Sequence, residues 1–420
     1  MNPILKREFF VPDPEGHVMP DGRLYLYGSL DISGRQDYCS KYQRVFSTDD
    51  PKMETWTDHG VCFENTARNP SVAWAPDMRL SAPDCIHKGG RYYMYLCSSV
   101  NQMEAVSVAD SPAGPFLKAE PVGYADGDGI DPAVLVDDDG SAYLFWGQFS
   151  LRGGKLSDDM HSVIESTVCR SLLTDAEHGF HEGACIRKRK GIYYLVFADR
   201  TRGKPTCLSY ATSDRPLGPY RKRGVIIDNI DCDPNVWNNH GSIEEFRGQW
   251  YVFYHRSSQN GRYSRRACVE TIYFNEDGTI DEVEMTSQGA SDPIDAFQKI
   301  DASVACRVRG NCRIVPDPQG INGEILADCG GGNFWAEDWA EYKYFQFGAG
   351  ADRMEICCRG AGRIIVKTEG GRVLGETETD GREFAVRSLA LQKVEGVRPV
   401  WLLFDGRGID VVWFRFVKAE

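Results

Sequence analysis

Through the first 280 residues, apolar positions come in short runs that alternate with polar ones and break at glycine-bearing turns. No segment there keeps an amphipathic helical period over three turns, so the pattern predicts strands. One motif returns five times: a polar residue, a brief apolar stretch, a Gly turn, then an aromatic-rich run. It opens at Asp13-Pro-Glu-Gly-His-Val, Ser81-Ala-Pro-Asp84, Asp131-Pro-Ala-Val-Leu-Val, Glu182-Gly-Ala-Cys-Ile-Arg and Asn239-His240-Gly-Ser-Ile. The turns fall at Gly22, Gly90, Gly140, Gly191 and Gly248, at intervals of 68, 50, 51 and 57 residues. Asp-Gly and Gly-Gly between alternating runs signal β-hairpins. A second strand pair follows each hairpin, and two units share a closing turn, Asp110–Phe116 matching Asp214–Tyr220. Four strands per unit of about 50 residues is the size of a propeller blade. The fold expected for residues 1–285 is a five-bladed β-propeller.

The repeat register also locates candidate chemistry. Nine positions before the turn glycine stand Asp13, Asp131 and Glu182 in three of the five units. The first strand of each blade lines a propeller's channel, so equivalent positions form a ring. Asp is common at turns and strand starts, but Glu is a poor turn residue, and turn chemistry alone does not put Glu182 in the same slot. Three like charges in one ring must push at least one pKa upward, which keeps a carboxylic acid protonated near neutrality. Opposed carboxylates of this kind suit acid/base bond cleavage.

Composition removes other classes. With 48 Lys and Arg against 61 Asp and Glu, the chain carries a net charge of −13, which disfavours nucleic acid or an anionic membrane as a partner. No apolar run has the length of a membrane span. The chain starts Met-Asn-Pro-Ile-Leu-Lys-Arg-Glu without a signal-peptide core, so a cytoplasmic location is expected. Fourteen cysteines occur with no C-x-x-C pair. Several lie in apolar runs, as buried thiols of a reducing compartment would. Asp137-Asp-Asp-Gly140 lacks the first ligand of a calcium loop and reads as a hairpin turn. Gly153-Gly-Lys155-Leu156 lacks the ends of a phosphate loop, and no H-E-x-x-H occurs. Two histidines beside Glu182, His178 and His181, read as solvated or hydrogen-bonded side chains.

The Asp-Pro opening, the Asp131-Pro-Ala-Val-Leu-Val-Asp-Asp-Asp-Gly run, Glu182-Gly-Ala-Cys-Ile-Arg-Lys and His240-Gly-Ser-Ile-Glu-Glu-Phe resemble glycoside hydrolase family 43 over residues 3–285. The resemblance implies an inverting enzyme acting on arabinose- or xylose-containing polysaccharides of the plant cell wall. It implies Asp13 as general base, Glu182 as general acid, and Asp131 as the group that orients Glu182 and adjusts its pKa. It also implies a channel Ca²⁺ supported at His240 through water, and no organic cofactor. The base and acid of an inverting pair are expected ~6.5–9.5 Å apart, and ~5 Å would imply retention. Trp74-Ala-Pro-Asp77 and Ser81-Ala-Pro-Asp84 compete for one family motif. Asp84, Trp74, Trp146 and Arg266 are the expected substrate-binding residues, with Phe10 a further candidate for stacking on sugar.

Residues 286–295 read as a linker. Residues 296–420 show short alternating strands with Gly turns, the pattern of a β-sandwich of jelly-roll type. From Trp339 to Phe416 this part resembles carbohydrate-binding module family 6. It departs at Asp410, where Asn is usual, and lacks the cleft Trp near Thr379–Phe384, leaving Trp335 and Trp339 as sugar platforms. Two other readings compete with hydrolysis by inversion: a propeller that binds glycans without catalysis, and a related propeller glycosidase acting on another linkage.

Overall fold

Each of the five glycine turns is the tip of a hairpin, and all five glycines have φ between 77° and 83°, the left-handed conformation that tight two- and three-residue hairpin turns require. The computed structural model describes residues 1–98, 100, 103–123, 129–330 and 337–419. Trp335 lies outside the described residues.

Four antiparallel sheets of four strands follow in order. They are β1–β4 (Glu15–Val18, Leu24–Tyr27, Tyr42–Thr48, Thr57–Glu64) and β5–β8 (Ser81–Lys88, Arg91–Ser98, Met103–Ala109, Leu117–Pro121). Next come β9–β12 (Ala133–Val136, Ala142–Trp146, Ser150–Lys155, Cys169–Thr174) and β13–β16 (Phe180–Arg189, Ile192–Asp199, Cys207–Ser213, Arg221–Ile227). The matched turns 110–116 and 214–220 join the third and fourth strands of the second and fourth sheets. The fifth sheet has three strands, β17–β19 (Ser242–Phe246, Gln249–Ser258, Gly261–Ile272). Its outer edge is met by the start of the chain: Ile4 N donates to Ala267 O at 3.0 Å and the Asn2 amide to Val269 O at 3.0 Å. The first strands β1, β5, β9, β13 and β17 pack side by side in a closed ring. This is the five-bladed propeller, its apolar cores lying between adjacent blades.

Beyond it, strands from Ile294 to Lys418 form one ten-stranded array over a main apolar core, with a smaller apolar cluster around Ile325, Ala327 and Val412. The expected sandwich is joined into one hydrogen-bonded network, because Ala351–Lys367 and Val397–Lys418 run through both halves and pair along most of their length. The close approach of Gly362 to Gly406, where a Cβ would meet backbone at 2.4 Å or less, lets these strands bend together.

The two parts share a buried polar seam. Arg266, 2% exposed, pairs with Glu324, which also meets Arg7 at 3.2 Å and accepts from Gln259 at 2.6 Å. Asp231 receives Arg307 at 2.6 Å and Arg309 at 3.0 Å. Residues 286–295 are anchored on both sides: Thr286 Oγ1 donates to Glu270 and Ser287 N to Lys343 O. All fourteen cysteines are free thiols, Cys169 and Cys357 half-buried and the rest buried.

Candidate active site

The inner strands begin with distorted backbone. Asp13 and Asp131 stand two residues ahead of β1 and β9 with φ of 55° and 56°, and Gly183 in β13 has φ of 69°. The β13–β14 register shifts on both sides of Glu182. Left-handed φ at a non-glycine residue costs of order 1–3 kcal/mol and collects at functional sites. Here it directs three carboxylates toward one end of the channel.

Asp13, 6% exposed, is held from several sides. Ser29 donates to Oδ2 at 2.6 Å, Arg265 to Oδ1 at 3.2 Å, and its own N–H donates to His255 Nδ1 at 3.1 Å. Burial works to raise its pKa, but Arg265, then His240, His255 and Ser29 together hold it below the usual carboxylate range. Asp131 Oδ2 accepts from Gly183 N at 3.1 Å, the amide next to Glu182. Burial, reinforced by Glu182 and Asp13, pushes Asp131 well up. Of the three carboxyls, Asp131 is therefore raised while Asp13 stays ionised. Glu182 keeps some exposure and accepts from Gln148 Nε2 at 2.6 Å, with His181 Nε2 at 3.9 Å. His240 Nδ1 sits between the other two, 3.8 Å from Asp13 Oδ1 and 3.9 Å from Asp131 Oδ2. Burial lowers the pKa of His240 and drives His255 down to about 3, so both imidazoles are neutral near pH 7.

One acid kept ionised by a guanidinium, a second partly open to solvent, and a third touching the amide beside the second can together move a proton onto one oxygen and off another. The family model for glycosyl hydrolases family 43 matches residues 1–280. The chain belongs to glycosyl hydrolases family 43. It is thus a glycoside hydrolase of an inverting family. A "Xylosidase/arabinosidase" of Thermoclostridium stercorarium is 33% identical over 353 residues, covering 73% of this chain and 72% of its own. An "Arabinoxylan arabinofuranohydrolase" of Paenibacillus polymyxa is 26% identical, covering 97% of this chain and 72% of its own. Among solved structures, a GH43 beta-xylosidase/alpha-arabinofuranosidase from a compost metagenome, in its calcium-free form with xylotriose, is similar at 31% identity and TM-score 0.58. It covers 68% of this chain and 97% of its own.

Three of the expected substrate contacts, Trp74, Trp146 and Arg266, lie elsewhere in this family 43 chain. Trp74 is buried against Tyr27, Phe63 and Leu96 between the first two blades, and Trp146 against Tyr95, Val134 and Leu144 between the next two. Both serve as core. Asp84 is in the channel but committed on both oxygens, to His17 Nε2 at 2.6 Å and Val134 N at 2.7 Å. Its competitor Asp77 is on the surface with Lys41 at 2.5 Å. Arg266 faces the seam, its guanidinium 4.0 Å above the buried ring of Phe10. In the C-terminal part, Asp410 holds Arg359 at 2.7 Å, and Trp339 is flanked by Arg307 and Arg309.

The side chains that sequence reasoning missed are Arg265, Gln148 and a rim of aromatics. Phe149, 44% exposed, lies 5.1 Å from the His181 ring, and Trp237, 42% exposed, gives its carbonyl to His181 Nδ1 at 2.9 Å. Arg200 spans the two rings. Tyr38 and Tyr263 meet edge to face, with Arg265 4.8 Å from the Tyr38 centroid.

Family 43 membership raises calcium, and the donors present test it. Near His240 the available oxygens belong to Asp13 and Asp131, with Arg265 already compensating Asp13. Deeper in the channel, Glu15, His17 and Asp84 offer ligand atoms within 4.8 Å of one another. Arg187 Nη2 lies among them, 2.6 Å from Glu15 Oε1 and 3.3 Å from His17 Nε2. Ca²⁺ takes six to eight oxygens, and this cage already holds a cation. The residues do not fit a calcium ion, and no step below uses one.

Proposed function

We propose that this hydrolase releases α-L-arabinofuranosyl or β-D-xylosyl residues from arabinoxylan- or arabinan-type oligo- or polysaccharides, with inversion. The observation that carries the reading is the split environment of the three carboxyls at the channel end. Asp13, ionised beside Arg265, takes a proton from water as it attacks the anomeric carbon. Glu182 gives its proton to the departing oxygen, and Asp131 holds the Gly183 amide and so the backbone that aims Glu182. The named activities of the relatives from Thermoclostridium stercorarium and Paenibacillus polymyxa support the sugar class. Phe149 and Trp237, on the Glu182 side, line the leaving-group site; Tyr38 and Tyr263, on the Asp13 side, line the pocket for the released sugar. The free thiols support a cytoplasmic enzyme working on short imported oligosaccharides.

The test is hydrolysis of 4-nitrophenyl α-L-arabinofuranoside and β-D-xylopyranoside by native enzyme and Asp13→Asn, with the first-formed anomer read by proton NMR. Turnover that vanishes in Asp13→Asn and gives the inverted anomer supports the reading. Glu182→Ala should lose far more activity on xylo- or arabino-oligosaccharides than on these aryl glycosides, whose leaving group needs little protonation. Equal losses on both would remove Glu182 from the acid role, and a retained anomer would replace inversion with a nucleophilic route.

A further inference from the structure

The cage below the catalytic carboxyls is built from all five blades around one guanidinium. Arg187, on the first strand of the fourth blade, donates from Nε to Glu244 Oε2 at 2.8 Å on the fifth blade. Its Nη2 reaches Glu15 Oε1 and Gly16 O, both at 2.6 Å, on the first. His17 passes the contact to Asp84 on the second blade, and Asp84 accepts from Val134 N on the third. Every one of these side chains except Glu244 is less than a tenth exposed on its side chain. We propose that Arg187 is the channel's resident cation, doing the work of a divalent ion there, so that this enzyme needs no metal for stability or activity.

The chemistry supports that assignment. A guanidinium presents five donors in a fixed plane and stays charged, so it can satisfy a carboxylate, a carbonyl and a second carboxylate at once. Removing it would leave Glu15, Asp84 and Glu244 as buried carboxylates without their cation, the arrangement a hard divalent cation favours. A calcium ion entering the native cage would have to displace the arginine.

The experiment uses the full chain. Native enzyme is purified with calcium present, desalted, and assayed for bound metal by plasma mass spectrometry; Tm and aryl-glycoside hydrolysis are then measured with EDTA and with millimolar CaCl2. Metal content below ~0.1 per chain and a Tm unmoved within about 1 °C are expected. One calcium per chain, with a Tm drop on chelation, would overturn the proposal. Arg187→Met should have a lowered Tm that calcium raises by several degrees, while Arg187→Met/Glu15→Gln, with one carboxylate fewer, should recover Tm without calcium. Arg187→Met showing native Tm and no calcium response would also overturn it. Should that variant fail to fold, the native metal content and the chelation result decide alone, and neither depends on which glycoside is cleaved.

Discussion

Replacing Arg265 by Met while changing Asp31 to Asn removes one cation and one of its two carboxylate partners, so the buried charge stays balanced. Arg265 Nη1 lies 3.2 Å from Asp13 Oδ1, and both side chains are under a tenth exposed. At an effective dielectric of 20, two unit charges at that distance attract by about 5 kcal/mol. Burial is the largest influence on Asp13 and acts upward; Arg265 is the largest that opposes it. Without the guanidinium, the Asp13 carboxyl must rise. A general base works only when ionised, so the acid limb of kcat/KM against pH should move to higher pH. Carboxylates beside arginine are commonly depressed by roughly one to three units, and a displacement in that range is expected. The assay is aryl-glycoside hydrolysis across pH 3–9 with native enzyme, Arg265→Lys, and the double variant, each first checked by Tm. Arg265→Lys keeps the charge and should keep the limb near its native place. A double variant whose profile is lower in height but unshifted in pH would refute the claim that Arg265 sets the ionisation of Asp13.

Other perturbations test neighbouring parts of the structure. Gly183→Ala puts a Cβ 2.8 Å from the His240 ring at φ of 69°. About 1–2 kcal/mol of backbone strain is expected, with kcat falling tenfold or more as Glu182 is misaimed; a native kcat would show that His240 yields freely. Glu324→Ala leaves Arg266 and Arg7 without their carboxylate in the seam, and a loss of about 3–5 kcal/mol in unfolding free energy is expected, read by chemical denaturation. His255 is held near a pKa of about 3 in the fold against 6.5 for its ordinary value. The neutral form is the one folding favours, so its contribution is complete above pH 6.5 and drains away as pH falls toward 3, by roughly 4–5 kcal/mol in all. Tm against pH should fall less steeply over that window in His255→Gln than in the native enzyme, and parallel curves would count against it.

The propeller was legible because each blade repeats one hairpin whose turn demands a left-handed glycine, a signal that survives divergence in everything between. Asp13, Asp131 and Glu182 were legible for the same reason, since a fixed offset from that turn is a fixed height in the channel. Arg265 was missed by one residue. Side chains alternate along a strand, so of two adjacent arginines in β19 one enters the site and the other leaves it, and composition does not say which. Trp74 and Trp146 sit beside the right motifs but point between blades. Phe149 and Trp237 sit in loops outside the hairpin repeat, where no periodicity reports direction. The missing fourth strand of the last blade was hidden because its place is met by residues 2–4, more than 260 positions away in the chain.

Arg265 and Arg266 also tie the histories of two regions together. One faces the reacting carboxylates and the next pairs with Glu324 in the C-terminal array, so a single strand answers to selection from both directions. Across relatives, residues at positions 7, 266 and 324 should change as a set or not at all. A chimaera that borrows a C-terminal domain from another enzyme inherits a mismatched partner for Arg266 unless it carries its own acid to that seam. In relatives that carry both parts, the propeller and its companion are expected to have been inherited together.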